Sequence, residues 1–207
     1  MKEKTKIKAR YDGAAKLFDF TRSGDSRRWS ASQKKFFGQL KGKILYVGIG
    51  TGQETVNFPP GLDVVAIDIS EEMLKRAQER ISAYPGKMES ILMDAHHTSF
   101  ADNSFDMVLT VCVLCSVEKP IAALEEMKRV LKPGGKMLSF EHVRSGNPLF
   151  AWPLFLMNPI SLKLMGTSMV RDTGKNIAAA GFDLINESNV YLDIVKMFTS
   201  RKPPAEV

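Results

Sequence analysis

The amino-acid sequence predicts a single α/β domain built on a doubly wound, mostly parallel β-sheet. Short apolar runs typical of buried strands alternate along the chain with stretches of helical periodicity. The first of these runs leads directly into a glycine-rich turn at Gly48, Gly50 and Gly52, where a helix is expected to begin. At 207 residues, the chain has the length of one domain with a sizeable core. Such sheets bind ligands at the carboxyl ends of their strands, where we therefore expect the functional site.

The first half of the chain supplies four predicted strands and two predicted helices besides the one expected after the glycine turn. The segment "SASQKKFFGQL" predicts a short helix, followed by strands in "KILYVGI" and "GLDVVAIDIS". Ser70 is placed to cap the next helix, in which apolar residues recur at helical spacing, namely Met73, Leu74, Ala77 and Ile81. A third strand is predicted in "MESILMD", and a fourth in "SFDMVLTVCVL". The fourth is apolar enough to be covered on both faces of the sheet.

The helix in "EKPIAALEEMKRVLKPGG" has clear start and stop signals, with Pro120 in its first turn and Pro-Gly-Gly at its end. Its predicted inner stripe consists of Ile121, Leu124, Met127 and Leu131. The segment "KMLSFEHV" then predicts the fifth strand. Near the end of the chain, "RDTGKNIAAAGF" predicts a helix, and "DLINES" with "YLDIVKMFTS" predicts an antiparallel pair of strands at the sheet edge.

From residue 147 the segment "NPLFAWPLFLMNPISLKLMG" is apolar and aromatic, and three prolines interrupt it. It is too short and too interrupted to span a bilayer. A lid over an apolar substrate and a segment lying at a membrane interface would both use such residues. A buried connection within the core is an equally good interpretation of the composition.

Positive charge is concentrated at the start of the chain. Residues 1–43 hold thirteen Lys or Arg and four acidic residues, a net charge of +9, which leaves −3 for the remainder. A basic arm of this kind predicts an anionic partner, either a membrane surface or a nucleic acid, although a solvated tail would have the same composition. The two cysteines and the absence of a signal peptide predict a reducing, cytoplasmic setting, with peripheral contact at the inner membrane face.

The glycine turn matches neither of the common phosphate-binding patterns. Gly48 and Gly50 fit a dinucleotide fingerprint, but Gln53 stands where its third glycine belongs, and no Gly-Lys-Ser/Thr of a P-loop follows. Asp68 ends the second strand, where a carboxylate accepts hydrogen bonds from both hydroxyls of a ribose. Asp94 ends the third strand, where it can accept from an adenine amino group. A site that provides for adenosine without phosphate predicts S-adenosylmethionine as the cofactor.

Four segments in the right order and spacing resemble the class I S-adenosylmethionine-dependent methyltransferases. They are "ILYVGIGTGQ", "VVAIDISEEMLKRA", "MDAHHTSFADNSFDMVL" and "VLKPGGKMLSFEH", which together cover residues 44–142. The resemblance implies a Rossmann-like, seven-stranded sheet whose final strand is antiparallel. It places the methionine part of the cofactor over the glycine turn and the ribose at Asp68. The adenine would lie between Ile69, Met73, Asp94 and Ala95, with Val111 completing the cofactor-binding set.

One position departs from the family pattern. Members usually carry Asp or Glu two residues before the first glycine, where the carboxylate reaches toward the amino group of the donor. Here that residue is Tyr46, which can hydrogen-bond but supplies no negative charge. The resemblance thus implies that Tyr46 belongs to the cofactor site. A catalytically silent binding module that keeps the fold is the alternative from a different class of function.

The flanking segments resemble methyltransferases with lipophilic acceptors. "RYDGAAKLFDFTRSGDSRRW" is similar to the N-terminal block of the ubiquinone/menaquinone C-methyltransferases. "EHVRSGNP", "RDTGKNIAAAGF" and "IVKMFTSRKP" are closer to the soluble bacterial phosphatidylethanolamine N-methyltransferases and their thiol-methylating relatives. The resemblance implies a lipid or small lipophilic acceptor, first a phospholipid amine, with a quinone ring carbon or a small thiol as alternatives. No Asn/Asp-Pro-Pro-Tyr/Phe motif follows the fourth strand, so no nucleic-acid partner is expected.

Transfer from a sulfonium donor requires alignment of the acceptor and, for most acceptors, removal of a proton. Candidate catalytic residues are Glu141 and His142 at the end of the fifth strand, together with Tyr11. A packed, hydrogen-bonded histidine is the alternative for His142. Arg144 is placed to pair with a lipid phosphate, or is an ordinary surface arginine.

Two further clusters suggest metal or thiol chemistry but have simpler explanations. Cys112 and Cys115 fall at the end of a buried strand without a second pair that would complete a zinc site, so core packing is expected. His96 and His97 follow Asp94, and the loop after the third strand places them near the adenine. We therefore expect no metal site. The chain divides into a basic arm and helix (1–42), a cofactor-binding core (43–142) and a lid segment with final strands (143–207).

Overall fold

The computed structural model describes residues 11–13 and 28–204. Residues 1–10 and 14–27 of the predicted basic arm lie outside the described residues. The helices are α1 (Ser30–Phe37), α2 (Glu71–Ser82), α3 (Pro120–Val130), α4 (Pro148–Met165) and α5 (Thr173–Ala179), and a 3-10 helix covers Gln53–Asn57. The strands are β1 (Lys43–Val47), β2 (Asp63–Asp68), β3 (Lys87–Leu92), β4 (Phe105–Val111), β5 (Leu131–His142), β6 (Asp183–Tyr191) and β7 (Val195–Arg201).

The seven strands form one sheet in the order β3-β2-β1-β4-β5-β7-β6. Strands β1 to β5 run parallel, and β7 lies antiparallel between β5 and β6. The strand order therefore changes direction at β1: β2 lies on one side of it and β4 on the other. This confirms the predicted single α/β domain with a doubly wound, mostly parallel sheet and an antiparallel end.

The two faces of the sheet pack into two apolar clusters. One cluster includes Ile44, Tyr46 and Leu138, which pack with α1 and α2. The other includes Leu45, Val47 and Met137, which pack with α3 and α5. Successive residues of a strand point to opposite faces, which is why neighbours in β1 belong to different clusters. Burial on both faces explains the nearly continuous apolar runs of β1 and β4.

Helices α2 and α3 begin where the sequence predicts. The Ser70 side chain accepts a hydrogen bond from the backbone N–H of Met73 at 3.2 Å and so caps α2. Helix α3 begins at Pro120 and buries Leu124 and Met127. Its predicted inner stripe is wrong at two positions: Ile121 is exposed in the first turn, and Leu131 is buried as the first residue of β5, after the helix has ended at Val130.

Two segments differ from expectation. No α-helix follows the glycine turn directly: the chain makes the 3-10 helix, and Pro59 and Pro60, which lack backbone N–H groups, prevent its continuation. The apolar segment after residue 147 is neither a buried connection nor irregular, because it forms α4, with Pro153 and Pro159 inside the helix. Among the described residues, no helix is both long and apolar enough to cross a membrane.

Candidate functional site

A cavity of about 490 Å³ lies at the carboxyl ends of β1, β2, β3 and β4. Most of the predicted cofactor-binding residues line it, namely Gly48, Gly50, Asp68, Ile69, Met73, Asp94, Ala95 and Val111. Tyr11, from the predicted catalytic set, lines it as well. The parallel strands place these residues together, since their carboxyl ends meet at one edge of the sheet.

The glycine turn forms the floor of the cavity. The backbone N–H groups of Gly48 and Ile49 both donate to the carbonyl oxygen of Ile67, at 2.8 and 3.1 Å, which ties the turn to β2. Gly48 has φ +68°, and a Cβ there would lie 2.4 Å from the Val113 side chain. Gly50 has φ +57° and faces open space. Glycine at these two positions therefore allows both the backbone conformation and an unobstructed surface for a ligand.

Asp68 connects the glycine turn to the start of α2. Its carboxylate accepts hydrogen bonds from the backbone N–H of Gly50 at 2.8 Å and of Ser70 at 2.9 Å. Burial raises the pKa of the Asp68 carboxyl, and the backbone hydrogen bonds oppose that rise. Each carboxylate oxygen has more than one lone pair, so the group can still accept hydrogen bonds from a bound diol.

Asp94 and His96 form a pair that the sequence analysis did not identify. The Asp94 carboxylate accepts from the backbone N–H of His96 at 2.9 Å, and Nδ1 of the same imidazole lies 2.7 Å from the carboxylate. Both residues line the cavity, as does His97. The signal was the Asp-x-His spacing, because an aspartate commonly accepts from the backbone two residues further on.

The short N-terminal turn at residues 11–13 reaches this edge of the sheet. The Tyr11 hydroxyl donates to the carbonyl oxygen of Ser116 at 3.4 Å. The Ser70 hydroxyl donates to the Asp12 carboxylate at 2.5 Å. These two contacts bring the beginning of the chain to the loop after β4 and to the start of α2, on opposite sides of the cavity.

Within the described part of the chain, four predicted site residues do not line the cavity: Tyr46, Gly52, Glu141 and His142. Tyr46 is wholly buried in the core, with its ring 5.4 Å from that of Phe58. It faces the opposite side of β1 from Val47, which does line the cavity. The predicted contact between Tyr46 and the cofactor therefore has no counterpart in this geometry.

Glu141 lies beneath the loop that follows β4 instead of in the cavity. Its buried carboxylate accepts from the Thr110 hydroxyl at 3.0 Å and from three consecutive backbone N–H groups at 3.0 to 3.3 Å, those of Val113, Leu114 and Cys115. Burial, and then the nearby Cys112, raise the pKa of Glu141 to about 7. Glu141 is therefore not placed for the expected direct catalytic role. Instead it holds the loop after β4, in which Val113 lines the cavity. His142, partly buried, pairs with Val195 in the sheet.

The C-x-x-C segment is part of that loop. Cys112 lines the cavity and has φ +54°, a left-handed conformation that is uncommon outside glycine. Cys115 is buried, and both cysteines are free thiols. The hydrogen bond with Cys112, followed by burial, raises the pKa of the Cys115 thiol well above its usual value. Among the described residues, no three His, Cys, Asp or Glu side chains cluster as metal ligands.

Comparison with known proteins identifies the family. The family model of a methyltransferase domain matches residues 45–139. The demethylmenaquinone methyltransferase of Renibacterium salmoninarum is 35% identical over 167 residues, which cover 77% of this chain and 69% of that protein. The human thiol S-methyltransferase TMT1B is 29% identical over 181 residues, covering 77% of this chain and 71% of the relative.

The fold agrees with that of a SAM-dependent methyltransferase from Aquifex aeolicus, with a TM-score of 0.63 and 20% identity over 83% of this chain and 88% of that one. The cavity fits the same cofactor: Gly50 leaves open space above the turn, and the Asp68 and Asp94 carboxylates stand at the two strand ends where ribose and adenine are expected. The cofactor is S-adenosylmethionine, and the chain belongs to the class I S-adenosylmethionine-dependent methyltransferase family.

Proposed function

We propose that this methyltransferase acts on a small lipophilic acceptor. The observation that carries the proposal is the composition of the cavity beyond the cofactor-binding carboxylates. There the loop after β4 and the start of α3 contribute the apolar residues Val113, Val117 and Ala122, beside the polar residues Ser116, Glu118 and Lys119. Apolar side chains beside the glycine turn favour the binding of an acceptor that is poorly soluble in water. They also help to exclude water from the site of methyl transfer.

Within the cavity, we propose that Asp68 accepts from the ribose hydroxyls and Asp94 from the adenine amino group. Ile69, Met73, Ala95 and Val111 would enclose the adenine, and the turn from Gly48 to Gly52 would pass beneath the methionine part. The bound cofactor supplies an activated methyl group on a sulfonium. The chain's own contribution is therefore alignment and exclusion of water.

Of the three predicted catalytic residues, Tyr11 is the one that lines the cavity. We propose that its hydroxyl, which lies near the Ser116 carbonyl oxygen, orients the acceptor. Glu141 acts as a positioning residue through the loop it holds. His142 does not line the cavity, and we rank it below Tyr11 as the residue that accepts a proton for that reason.

For the acceptor atom, we put a quinone-precursor ring carbon first. Support comes from the similarity to a demethylmenaquinone methyltransferase over 69% of its length and from the N-terminal segment that supplies Tyr11. A thiol is the second candidate, supported by the similarity to a thiol S-methyltransferase. A phospholipid amine, first in the sequence analysis, rests on the resemblance of the C-terminal segments.

The test is transfer of radiolabelled methyl from S-adenosylmethionine to each of three acceptors: demethylmenaquinone, an alkyl thiol and phosphatidylethanolamine in vesicles. Asp68→Ala is the inactive control, and Asp63→Ala, at the opposite end of β2, is the matched variant that should keep activity. Label on demethylmenaquinone with the wild type and Asp63→Ala is the expected result. A second assay offers a water-soluble metabolite extract. Label found only in that extract, and on none of the three acceptors, would contradict the proposal of a lipophilic acceptor.

We also propose that the basic arm makes peripheral contact with an anionic membrane surface. The support is the net charge of +9 over residues 1–43, where the cations Arg28, Lys34, Lys35, Lys41 and Lys43 lie in the described part. Such contact would place the enzyme where lipophilic acceptors are concentrated.

A further inference from the structure

Helix α4 exposes most of its large apolar side chains, which is unusual for a helix on the surface of a water-exposed domain. The half-buried residues of α4 are two apolar residues, Ala151 and Leu154, and two polar residues, Asn158 and Ser161. Asn158 accepts from the backbone N–H of Met169 at 2.9 Å, and the Ser161 hydroxyl donates to the Thr167 carbonyl oxygen at 2.8 Å. The two polar side chains thus bond α4 to the connection that follows it, and only small parts of its apolar surface face inward, whereas an ordinary amphipathic helix buries its apolar face.

The outward side of α4 carries large apolar side chains. Those more than half exposed are Leu149 at 79%, Trp152 at 70%, Phe155 at 68%, Leu156 at 61%, Met157 at 54%, Ile160 at 60% and Leu164 at 63%. Trp152, Phe155, Leu156 and Ile160 recur at helical spacing and form a continuous stripe. We call these seven residues the outer face of α4. A contiguous apolar surface of this kind marks a site of contact with a membrane or a partner.

The charges around the outer face are positive. Residues 143–171 contain Arg144, Lys163 and Arg171 and no acidic residue. Arg144 and Lys163 are exposed, and Arg144 lines a surface depression together with Trp152 and Lys175.

Two nearby acidic residues, Asp172 and Asp193, are outnumbered by the cations Arg144, Lys163, Arg171 and Lys175. Asp172 pairs with Lys175 at 3.1 Å. Asp193 accepts from the Ser145 hydroxyl and from the backbone N–H of Gly146.

We infer that α4 is a membrane-docking helix that lies in the plane of an anionic bilayer, with its outer face among the acyl chains and its cations at the headgroups. Apolar outer residues bordered by cations and a tryptophan are the features of a helix that binds at the interface without spanning it. If a second copy of the chain docked through the same surface, Arg144 and Lys163 would face only further cations. Anionic headgroups neutralise them.

Docking through α4 would bring the cavity to the membrane. The connection that follows α4 is bonded to the loop that lines the cavity: the backbone N–H of Ser168 donates to the Cys115 carbonyl oxygen at 2.8 Å, and the Thr167 and Ser116 hydroxyls are 3.1 Å apart. An acceptor dissolved in the bilayer would then have a short path to the site. The inference itself goes beyond the proposed function and does not depend on which acceptor is used, because vesicle binding requires no methyl transfer.

Trp152 provides a direct probe, because the chain has two tryptophans and Trp29→Phe leaves Trp152 alone. The full chain with that change is mixed with vesicles of phosphatidylcholine, or of phosphatidylcholine with phosphatidylglycerol. We expect Trp152 emission to shift to the blue with the mixed vesicles and to be quenched by brominated acyl chains. Phe155→Glu with Ile160→Glu should weaken vesicle binding on the order of tenfold or more, since each change removes a large apolar contact.

The matched control is Val56→Glu with Ile185→Glu, which changes the net charge equally at exposed apolar positions outside α4. It should bind vesicles as the wild type does. Vesicle binding without any change or quenching of Trp152 emission would assign binding to the basic arm and overturn the inference. So would a dimer in sedimentation velocity that the Phe155→Glu, Ile160→Glu variant dissociates, because the outer face would then bind a second copy.

Discussion

The buried carboxylate of Glu141 accepts a hydrogen bond from the backbone N–H of Leu114 at 3.1 Å, so a side chain at the end of β5 fixes the loop that follows β4. The same carboxylate holds the N–H groups on either side, those of Val113 and Cys115. Three consecutive N–H groups that converge on one carboxylate leave that loop a single conformation, and the loop forms one wall of the cavity.

Glu141→Gln should lower the rate of methyl transfer without removing cofactor binding. The amide keeps one acceptor oxygen but presents an NH₂ group where the carboxylate accepted a further N–H, so the loop shifts. A displacement of this kind costs roughly tenfold to a hundredfold in kcat/KM. The measurement is steady-state kinetics beside calorimetric titration with S-adenosylmethionine. The exposed Glu125→Gln serves as control, and an unchanged kcat/KM in Glu141→Gln would refute the positioning role.

Glu141 should also make stability depend on pH. Its pKa is about 7 in the folded protein against an ordinary 4.5, so between those values the folded state keeps a proton that the unfolded state has lost. The stabilisation is therefore full below about pH 4.5 and is lost as the pH rises through about 7, by on the order of 3 kcal/mol. Urea unfolding at pH 5 and pH 8 measures it. The difference between the two pH values should shrink in Glu141→Gln, and an equal difference in both proteins would exclude this origin.

Asp68→Ala should weaken S-adenosylmethionine binding by at least roughly tenfold, because it removes the proposed ribose acceptor and frees the N–H groups of Gly50 and Ser70. Isothermal titration measures the affinity, with Asp63→Ala as the control from the far end of the same strand. Since the Asp68 pKa is raised, wild-type affinity should fall as the pH is lowered through it. Retention of wild-type affinity in Asp68→Ala would remove Asp68 from the cofactor site.

Alanine at Gly48 and at Gly50 should have different consequences. Both positions have positive φ, which costs about 1–2 kcal/mol for an L side chain. Gly48→Ala adds a clash with Val113 and should reduce the free energy of unfolding by a further ~1–3 kcal/mol. Gly50→Ala meets open space, so its larger effect should be on cofactor binding. Denaturation and titration of both variants separate the effects, and equal losses of stability would contradict the steric difference.

Tyr11→Phe should reduce kcat while leaving S-adenosylmethionine affinity within about twofold, because the ring that lines the cavity remains and one hydroxyl is lost. Tyr191→Phe is the matched control, since that ring packs against Trp29, outside the cavity lining. Single-turnover kinetics with saturating cofactor isolates the transfer step. A normal rate in Tyr11→Phe would exclude the hydroxyl from acceptor orientation.

The sequence by itself determined the order of the strands and of helices α1, α2, α3 and α5, the glycine turn, and the strand-end carboxylates at Asp68 and Asp94. These features are local: periodicity, caps and turn residues depend on neighbours in the chain. Parallel pairing then brings the carboxyl ends of the strands to one edge of the sheet. Residues that were predicted from separate strands therefore meet in one cavity.

Only the tertiary structure decided the positions of Tyr46, Glu141 and α4. Tyr46 could face either side of β1 as far as sequence shows, and the space beside Phe58 determined which. The role of Glu141 depends on N–H groups 26 to 28 residues away in the chain. Helix α4 is mostly apolar and shows no clear polar stripe in sequence, and bonds that Asn158 and Ser161 make with the segment after it mark its inward side. Contacts between distant segments carry no local pattern, which is why they appear only when the chain is folded.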